Sequence, residues 1–299
     1  MTMSLTARTA AEIAALAQLA CLLEASAPKP GNVWPGRPFA DLRYEDLLIS
    51  AVSIGESFAR VAEHPLGETI RRAIEATARW TITNTNLGMV LLLAPIARAA
   101  AASMNGSEGQ PPPRRQDLHA AVWTVLAETS VADAREVYAA IRRAKPGGLG
   151  HVQSQDIADE PEVTLTEAMR LAAFRDGVAR EYATGFEVTF ERGTPALERA
   201  RHEGLSWNDA IVETFLHLLA ETPDTHIVRR SGLPAADLVS RRARTVLKAG
   251  GVRSAEGRAA IDAMDAAMRD DRNSNNPGTT ADLTAAAIFV TLICGSPAA

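Results

Sequence analysis

Aromatic residues are scarce in this chain, at 5% of 299 positions. That argues against a β-sandwich, whose core relies on large flat side chains, and favours closely packed helices. Cysteine is scarcer still. Cys21 and Cys294 lie at opposite ends of the sequence, so there is neither a disulfide framework nor a metal-ligand spacing. No long hydrophobic run occurs. Met89–Ile96 and Ala285–Cys294 are the strongest, and both fall short of the ~20 residues a bilayer requires. Positive charge is not in excess, with 31 Lys and Arg against 36 Asp and Glu for a net charge of −5. A general nucleic-acid binder needs the opposite balance. The segment Met1–Ala10 has no basic stretch followed by an apolar block, so no secretory signal is expected. Together these absences predict a cytoplasmic protein with no membrane and no nucleic-acid partner.

What is present is apolar periodicity. Hydrophobic residues make up 46% of the chain, ample for a sizeable core. In Tyr44–Glu63 the residues Leu47, Leu48, Ala51, Val52, Ile54, Phe58 and Val61 recur at three- and four-residue intervals, one face of a helix. Ala11–Leu23 behaves alike and stops before Pro28 and Pro30. Thr164 with Glu167 makes a capping box for a helix running to about Tyr182, and Ser206 with Asp209 opens another through about Leu219. Further helices are predicted over Glu68–Thr81, Gly88–Ala102, Asp117–Glu128, Val131–Arg143, Pro234–Leu247, Ala255–Arg269 and Asp282–Ile293. Only Phe186–Phe190 alternates like a strand, and it can equally finish a helix connection. The expectation is an all-α fold, one compact domain over residues 1–299 of roughly ten to twelve helices.

Five polar, turn-forming stretches interrupt these helices. Pro28-Lys29-Pro30-Gly31-Asn32 displays Lys29 from a stiff turn suited to a phosphate contact. Asn84-Thr85-Asn86-Leu87-Gly88 puts three hydrogen-bonding side chains at a helix N-terminus, where free N–H groups favour anions. Arg175-Asp176 is followed one turn later by Arg180-Glu181, with Asp176 and Arg180 spaced as an i,i+4 pair that a solvated helix face explains as well. Asp224-Thr225-His226 precedes Arg229-Arg230, an acid and two guanidinium groups in one segment. His226 reads as a packing or surface histidine. In Asn276-Pro277-Gly278-Thr279-Thr280-Ala281-Asp282, Thr280 can cap the last helix and Asp282 complements its dipole. The glycine-rich Lys145–His151 lacks the Gly-Lys-Ser/Thr ending and the preceding strand of a Walker loop. It reads as a plain loop or a lid. No His-Glu-x-x-His, Cys-x-x-Cys or Gly-x-Ser-x-Gly occurs either, which removes zinc protease, redox and serine hydrolase readings.

Taken in order, these stretches resemble the motif series of the triphosphoribosyl-dephospho-CoA synthase family. The pieces are Pro28-Lys29-Pro30-Gly31, Asn84-Thr85 with Gly88, Glu181 with Gly185-Phe186, Asp224-Thr225 with Arg230 and Gly232, and Pro277-Gly278 with Ala281-Asp282-Leu283. The chain departs from the pattern in three places. Arg37–Leu42 keeps Asp41 and lacks the family's histidine, Asn86-Leu87 stands where the family has His-Lys, and Thr279-Thr280 replaces Gly-Ser.

The resemblance implies an ATP-dependent transferase. A hydroxyl of 3'-dephospho-CoA would attack C1′ of the ATP ribose, adenine would leave, and the triphosphate would stay on the sugar. Such a centre is oxocarbenium-like and needs carboxylates beside it, while the triphosphate needs Lys, Arg and Mg²⁺. On that basis Lys29, Arg175, Arg180 and Arg230 are expected at phosphates, with Gly31, Asn84, Thr85, Asn86, Thr279 and Thr280 lining the same site. Glu181, Asp224 and Asp282 are the expected Mg²⁺ carboxylates, and Asp41, Glu75 and Glu181 the expected catalytic acids. Three alternatives stay open: the same donor with a ribitol-containing pterin as acceptor, an ATP N-glycosidase, and a non-catalytic nucleotide-binding helical protein. A homodimer is compatible with the amphipathic helices.

Overall fold

The computed structural model describes residues 9–103, 112–148, 150–152 and 154–295, and no β-strand occurs among them. Most of the loop expected at Asn105–Gln116 lies outside the described residues. The all-α expectation holds.

The chain opens with α1 (Ala10–Ser26), which Thr9 starts through a complete capping box with Glu12. It continues through α2 (Tyr44–Ser53), α3 (Gly55–Ala59), α4 (Leu66–Thr77) and α5 (Leu87–Ala102), then α6 (Arg115–Ala127) and α7 (Val131–Ala144). Beyond the glycine-rich loop come α8 (Leu165–Ala172) and α9 (Gly177–Thr184), a π-helical turn over Val188–Gly193, α10 (Thr194–His202) and α11 (Trp207–Glu221). The last elements are α12 (Thr225–Ser231), α13 (Leu233–Lys248), a 3₁₀ turn over Gly251–Arg253, α14 (Ala255–Met268) and α15 (Gly278–Ile293).

Among the described residues, fifteen α-helical segments exceed the expected ten to twelve because two predicted helices are broken and two short ones carry little periodicity. Tyr44–Glu63 divides at Ile54, and the helix begun at Thr164 stops at Ala172 and restarts after Asp176. The second break matters for the site. It turns Asp176 from the first member of an i,i+4 pair into an N-cap that accepts from the Ala179 amide at 3.0 Å. The Phe186–Phe190 stretch forms no strand: Gly185 and Phe186 end α9 with positive φ, and Glu187 leads into the π-turn.

Two helices form the centre. In α5 thirteen of sixteen residues are buried, and in α15 twelve of sixteen. Helices apolar all round are those enclosed by neighbours on every side. They pack against each other and against α1. Ala94, Ala97, Ala285 and Ala286 contribute to the buried core, where their small side chains let backbones approach closely. The phenol of Tyr182 on α9 donates to the Leu91 carbonyl of α5 at 2.7 Å, tying a third element into this centre. No described helix is long and apolar enough to cross a membrane.

Candidate active site

Helices that start at one place leave their first-turn N–H groups there. The first turns of α5, α9 and α15 all line one cavity of about 880 Å³. Two glycines bring them together. A Cβ at Gly88 would lie 1.9 Å from Oδ2 of Asp282, so α5 meets α15 only because that atom is missing. A Cβ at Gly177 would lie 2.7 Å from Cγ2 of Thr279, which brings α9 onto α15 in the same way.

Behind the cavity the threonines knit these starts together. The Gly177 amide donates to Thr225 Oγ1 at 2.9 Å, and that hydroxyl pairs with Thr279 Oγ1 at 3.0 Å. Asp224 Oδ1 accepts from the His226 and Ile227 amides, at 2.8 and 3.1 Å. Its Oδ2 accepts from both the amide and the hydroxyl of Thr280, each at 2.7 Å. Asp224 and Thr280 lie outside the cavity lining. The residues expected to hold a metal and a phosphate therefore act as a clasp between α12 and α15. Helix α15 also starts four residues before Asp282, at Gly278, so Thr280 belongs to its first turn and does not cap it.

Of the expected site residues, the structure brings eight to the cavity. Asp41, Asn84, Thr85 and Asn86 line one part; Arg175, Arg230, Thr279 and Asp282 line another. Asp41 accepts from Asn273 Nδ2 at 3.0 Å. Asn86 is held by Thr77 Oγ1 at 3.0 Å, and Thr85 pairs with Ser50 Oγ at 2.5 Å.

Others lie elsewhere. Lys29 is 1% exposed, and its ammonium is spent on the Glu24 carboxylate at 3.0 Å and on backbone carbonyls of Glu24 and Ala27. It reaches the site only through Glu24, which does line the cavity. Gly31 gives its amide to Asp265 at 2.9 Å. Glu75 pairs with Arg71 at 2.7 Å on α4, away from the cavity. Arg180 donates to the Ala173 carbonyl at 3.3 Å and lines a much smaller recess beside Asp224. Glu181 is fully buried and outside the cavity. Its oxygens accept from the amides of Val188 and Thr189, at 3.0 and 2.8 Å, and from the Thr189 hydroxyl at 2.5 Å. Burial pushes its carboxyl up, and those three donors pull it only part of the way back.

Among the lining residues that sequence reasoning did not single out, Glu24, Arg229, His226 and Tyr138 bear most on the chemistry. Glu24 sits in the last turn of α1; an acid ending an apolar helix five residues before Lys29 was the available signal. Arg229 pairs with Asp176, and its Nε is buried without a partner among the described residues. Arg230 next to it is exposed and donates to the Arg272 carbonyl, and sequence alone could not rank two adjacent arginines. His226 is held by its Nδ1 against the Asn276 carbonyl at 3.0 Å. Since a carbonyl can only accept, Nδ1 carries the proton. Burial lowers this imidazole below its ordinary value, Asp224 pulling the other way. Tyr138 on α7 and much of the loop after it, from Lys145 to Ile157, close another side of the cavity. That loop is therefore part of the site.

The cavity floor is acidic in an unusual way. Glu24 and Asp282 both line it. Burial raises the Glu24 carboxyl in spite of Lys29. Asp282 is raised well above the ordinary aspartate value by burial first and then by Glu24, Asp224 and Asp176, with Arg229 opposing. No hydrogen bond or ion pair satisfies Asp282 among the described residues. Nor do three or more His, Cys, Asp or Glu side chains there form a ready metal cage.

Comparison with known proteins decides the family. The model of the ATP:dephospho-CoA triphosphoribosyl transferase family matches residues 10–297. The chain belongs to this family. Among triphosphoribosyl transferase relatives, the probable 2-(5''-triphosphoribosyl)-3'-dephosphocoenzyme-A synthase of Stutzerimonas stutzeri is 36% identical over 38% of each chain. The 2-(5''-triphosphoribosyl)-3'-dephosphocoenzyme-A synthase of Klebsiella pneumoniae is 31% identical over 49% of this chain and 56% of its own. The matched region thus spans less than two thirds of either relative. A crystal structure from Archaeoglobus fulgidus, assigned as a triphosphoribosyl-dephospho-CoA synthase, superposes with a TM-score of 0.63 at 27% identity. It covers 83% of this chain and 99% of that one.

Proposed function

We propose that this family member transfers the 5-triphosphoribosyl group of ATP to a hydroxyl of 3'-dephospho-CoA and releases adenine. The observation that carries the reading is the single cavity into which three helix N-termini, Arg175, Arg229, the buried Glu24 carboxylate and the half-buried Asp282 carboxylate converge. Helix N-termini and arginine forks bind phosphate oxygens, and buried acids stabilise a cationic sugar.

Arg229 is the principal phosphate contact, since Asp176 fixes its guanidinium and leaves its Nε without a partner. Arg175 and Arg230 stand at the same cavity, with Asn84, Thr85, Asn86 and Thr279 as hydrogen-bonding neighbours. Asp41 is well placed to take the proton of the acceptor hydroxyl, because Asn273 orients its carboxylate at the cavity. Glu24, held by Lys29, faces the developing positive charge on the ribose. Asp282, with Glu24 nearby, is the group that would hold Mg²⁺. A desolvated carboxylate with no ion-pair or hydrogen-bond partner among the described residues fits that ion, which usually binds through one or two carboxylates and substrate phosphates. Bound there, Mg²⁺ would neutralise triphosphate charge.

The test is incubation with Mg-ATP and 3'-dephospho-CoA, followed by mass spectrometry of the products. Free adenine together with a triphosphoribosylated acceptor is the expected result. Adenine formed only with a ribitol-containing pterin would change the acceptor, and adenine formed with no acceptor would make the protein an ATP N-glycosidase. Nucleotide binding with no adenine under any condition would end the catalytic reading.

A further inference from the structure

The cavity has a second chemical character at its edge. Ile82 is 106% exposed, Phe174 80% and Leu171 52%, and all three line it. Each lies close in sequence to polar site residues. Ile82 precedes Asn84 by two positions, and Phe174 immediately precedes Arg175 and Asp176. Folding gains almost nothing from an isoleucine as exposed as in an open chain, or from a phenylalanine four-fifths exposed at the break between α8 and α9. The same turns are held firmly by other contacts. Asn84 Oδ1 caps α5 through the Leu87 amide at 3.1 Å, and Asp176 caps α9. The apolar side chains are thus displayed from fixed positions beside the cavity.

We propose that Ile82, Leu171 and Phe174 seat the long, largely uncharged arm of the acceptor and so determine which hydroxyl-bearing nucleotide is used. This rests on the transfer reading above. The occupant follows from the shape of the acceptor. Its reacting hydroxyl is on the ribose, and its aliphatic amide arm leaves from the far side of the pyrophosphate. When the ribose is held against the acidic floor and the pyrophosphate against the arginines, the arm must run outward to the edge. A cavity of about 880 Å³ is near the upper end for one small ligand, so with ATP seated in it the acceptor's arm has its room at the edge. ATP has no arm. Its only apolar part is adenine, which has to separate from the sugar at the reacting carbon and hence belongs deeper.

The experiment compares two acceptors at saturating Mg-ATP, so that the donor site stays filled. One is 3'-dephospho-CoA; the other is ADP, which keeps the nucleoside and pyrophosphate and lacks the arm. Phe174→Ser should raise KM for dephospho-CoA about tenfold, the effect of losing one large buried apolar contact. KM for ADP as acceptor and for Mg-ATP should stay within about twofold, and Phe174→Leu should recover most of the affinity. Ile82→Ser should act in the same direction. An equal effect on both acceptors overturns the proposal, as does a rise confined to Mg-ATP, which would mean adenine stacks on the ring. A shift from dimer to monomer with unchanged acceptor KM also overturns it, because the occupant would be a second copy of the chain. Failure of the transfer reading is seen separately, as no adenine from the unsubstituted protein. The seat is then read from calorimetric binding of dephospho-CoA, and undiminished affinity in Phe174→Ser refutes it.

Discussion

Replacing Glu181 by glutamine separates two roles that look alike in sequence. The residue belongs to a family motif, and an acid so placed suggests metal or catalysis. In the fold it accepts three hydrogen bonds from the chain that leaves α9, and it touches no cavity. Glutamine has one acceptor oxygen where the carboxylate has two. If that oxygen keeps the Thr189 amide and hydroxyl, the new NH₂ group faces the Val188 amide, donor against donor. One buried N–H then goes unsatisfied, at about 1–3 kcal/mol. Removing a buried charge offsets part of this, so a net destabilisation of about 1–2 kcal/mol is expected. For a chain of this length that lowers Tm by roughly 2–3 °C. Glu181→Ala, which orphans all three donors, should be several kcal/mol worse. The assay is thermal unfolding alongside adenine release, normalised to folded protein. Turnover per folded molecule should stay within about threefold of the unsubstituted enzyme, whereas loss of a group acting in the chemistry costs ~10²-fold or more. An unchanged Tm with a hundredfold fall in kcat would refute the structural assignment.

Other substitutions address the cavity itself. Arg229→Met should raise KM for Mg-ATP about tenfold or more, as expected for a lost charge-assisted phosphate contact. Arg230→Met should change it by less than about threefold, and the reverse ranking would show that the wrong arginine has been assigned. Asp282→Asn should abolish detectable turnover while leaving Tm equal or higher at pH 8, because it removes a half-buried, desolvated carboxylate with no hydrogen-bond or ion-pair partner among the described residues; a lower Tm would contradict this. Asp265 provides the pH test. Burial alone would raise its carboxyl, but Arg269, Arg37 and the Gly31 amide hold it below the ordinary value. The folded pKa is depressed, so its stabilisation is complete above the unfolded value near ~4 and is lost as pH falls through the lower folded value. The Tm difference between the unsubstituted protein and Asp265→Asn should therefore be constant from pH 5 to 7 and shrink below about pH 4. A difference that grew on acidification would reverse the assignment.

Helical class was legible because its signals are local. Apolar spacing in Tyr44–Glu63, the Thr164–Glu167 capping box and the Ser206 cap all act within a few residues of themselves. The motif order led to the family by resemblance, and the family match over residues 10–297 agrees with it. Helix breaks were less legible, since Ile54 and the Ala173–Asp176 interruption leave the apolar pattern almost intact.

What only the tertiary structure decided is the direction in which each polar side chain points. Lys29, Glu181, Asp224 and Thr280 carry the same chemistry as Arg229, Glu24 and Asp282, yet the first group lies outside the cavity lining, its polar atoms held by internal hydrogen bonds and ion pairs, whereas the second lines the cavity. Ionisable groups buried without partners are unstable, so most motif residues are consumed in holding helices together. Among the described residues, Asp282, the Nε of Arg229 and the Oδ1 of Asn276 have no hydrogen-bond partner and belong to residues that line the cavity. Burial and partner geometry depend on segments more than a hundred residues apart, such as Gly88 against Asp282. No local pattern in the sequence records such a contact.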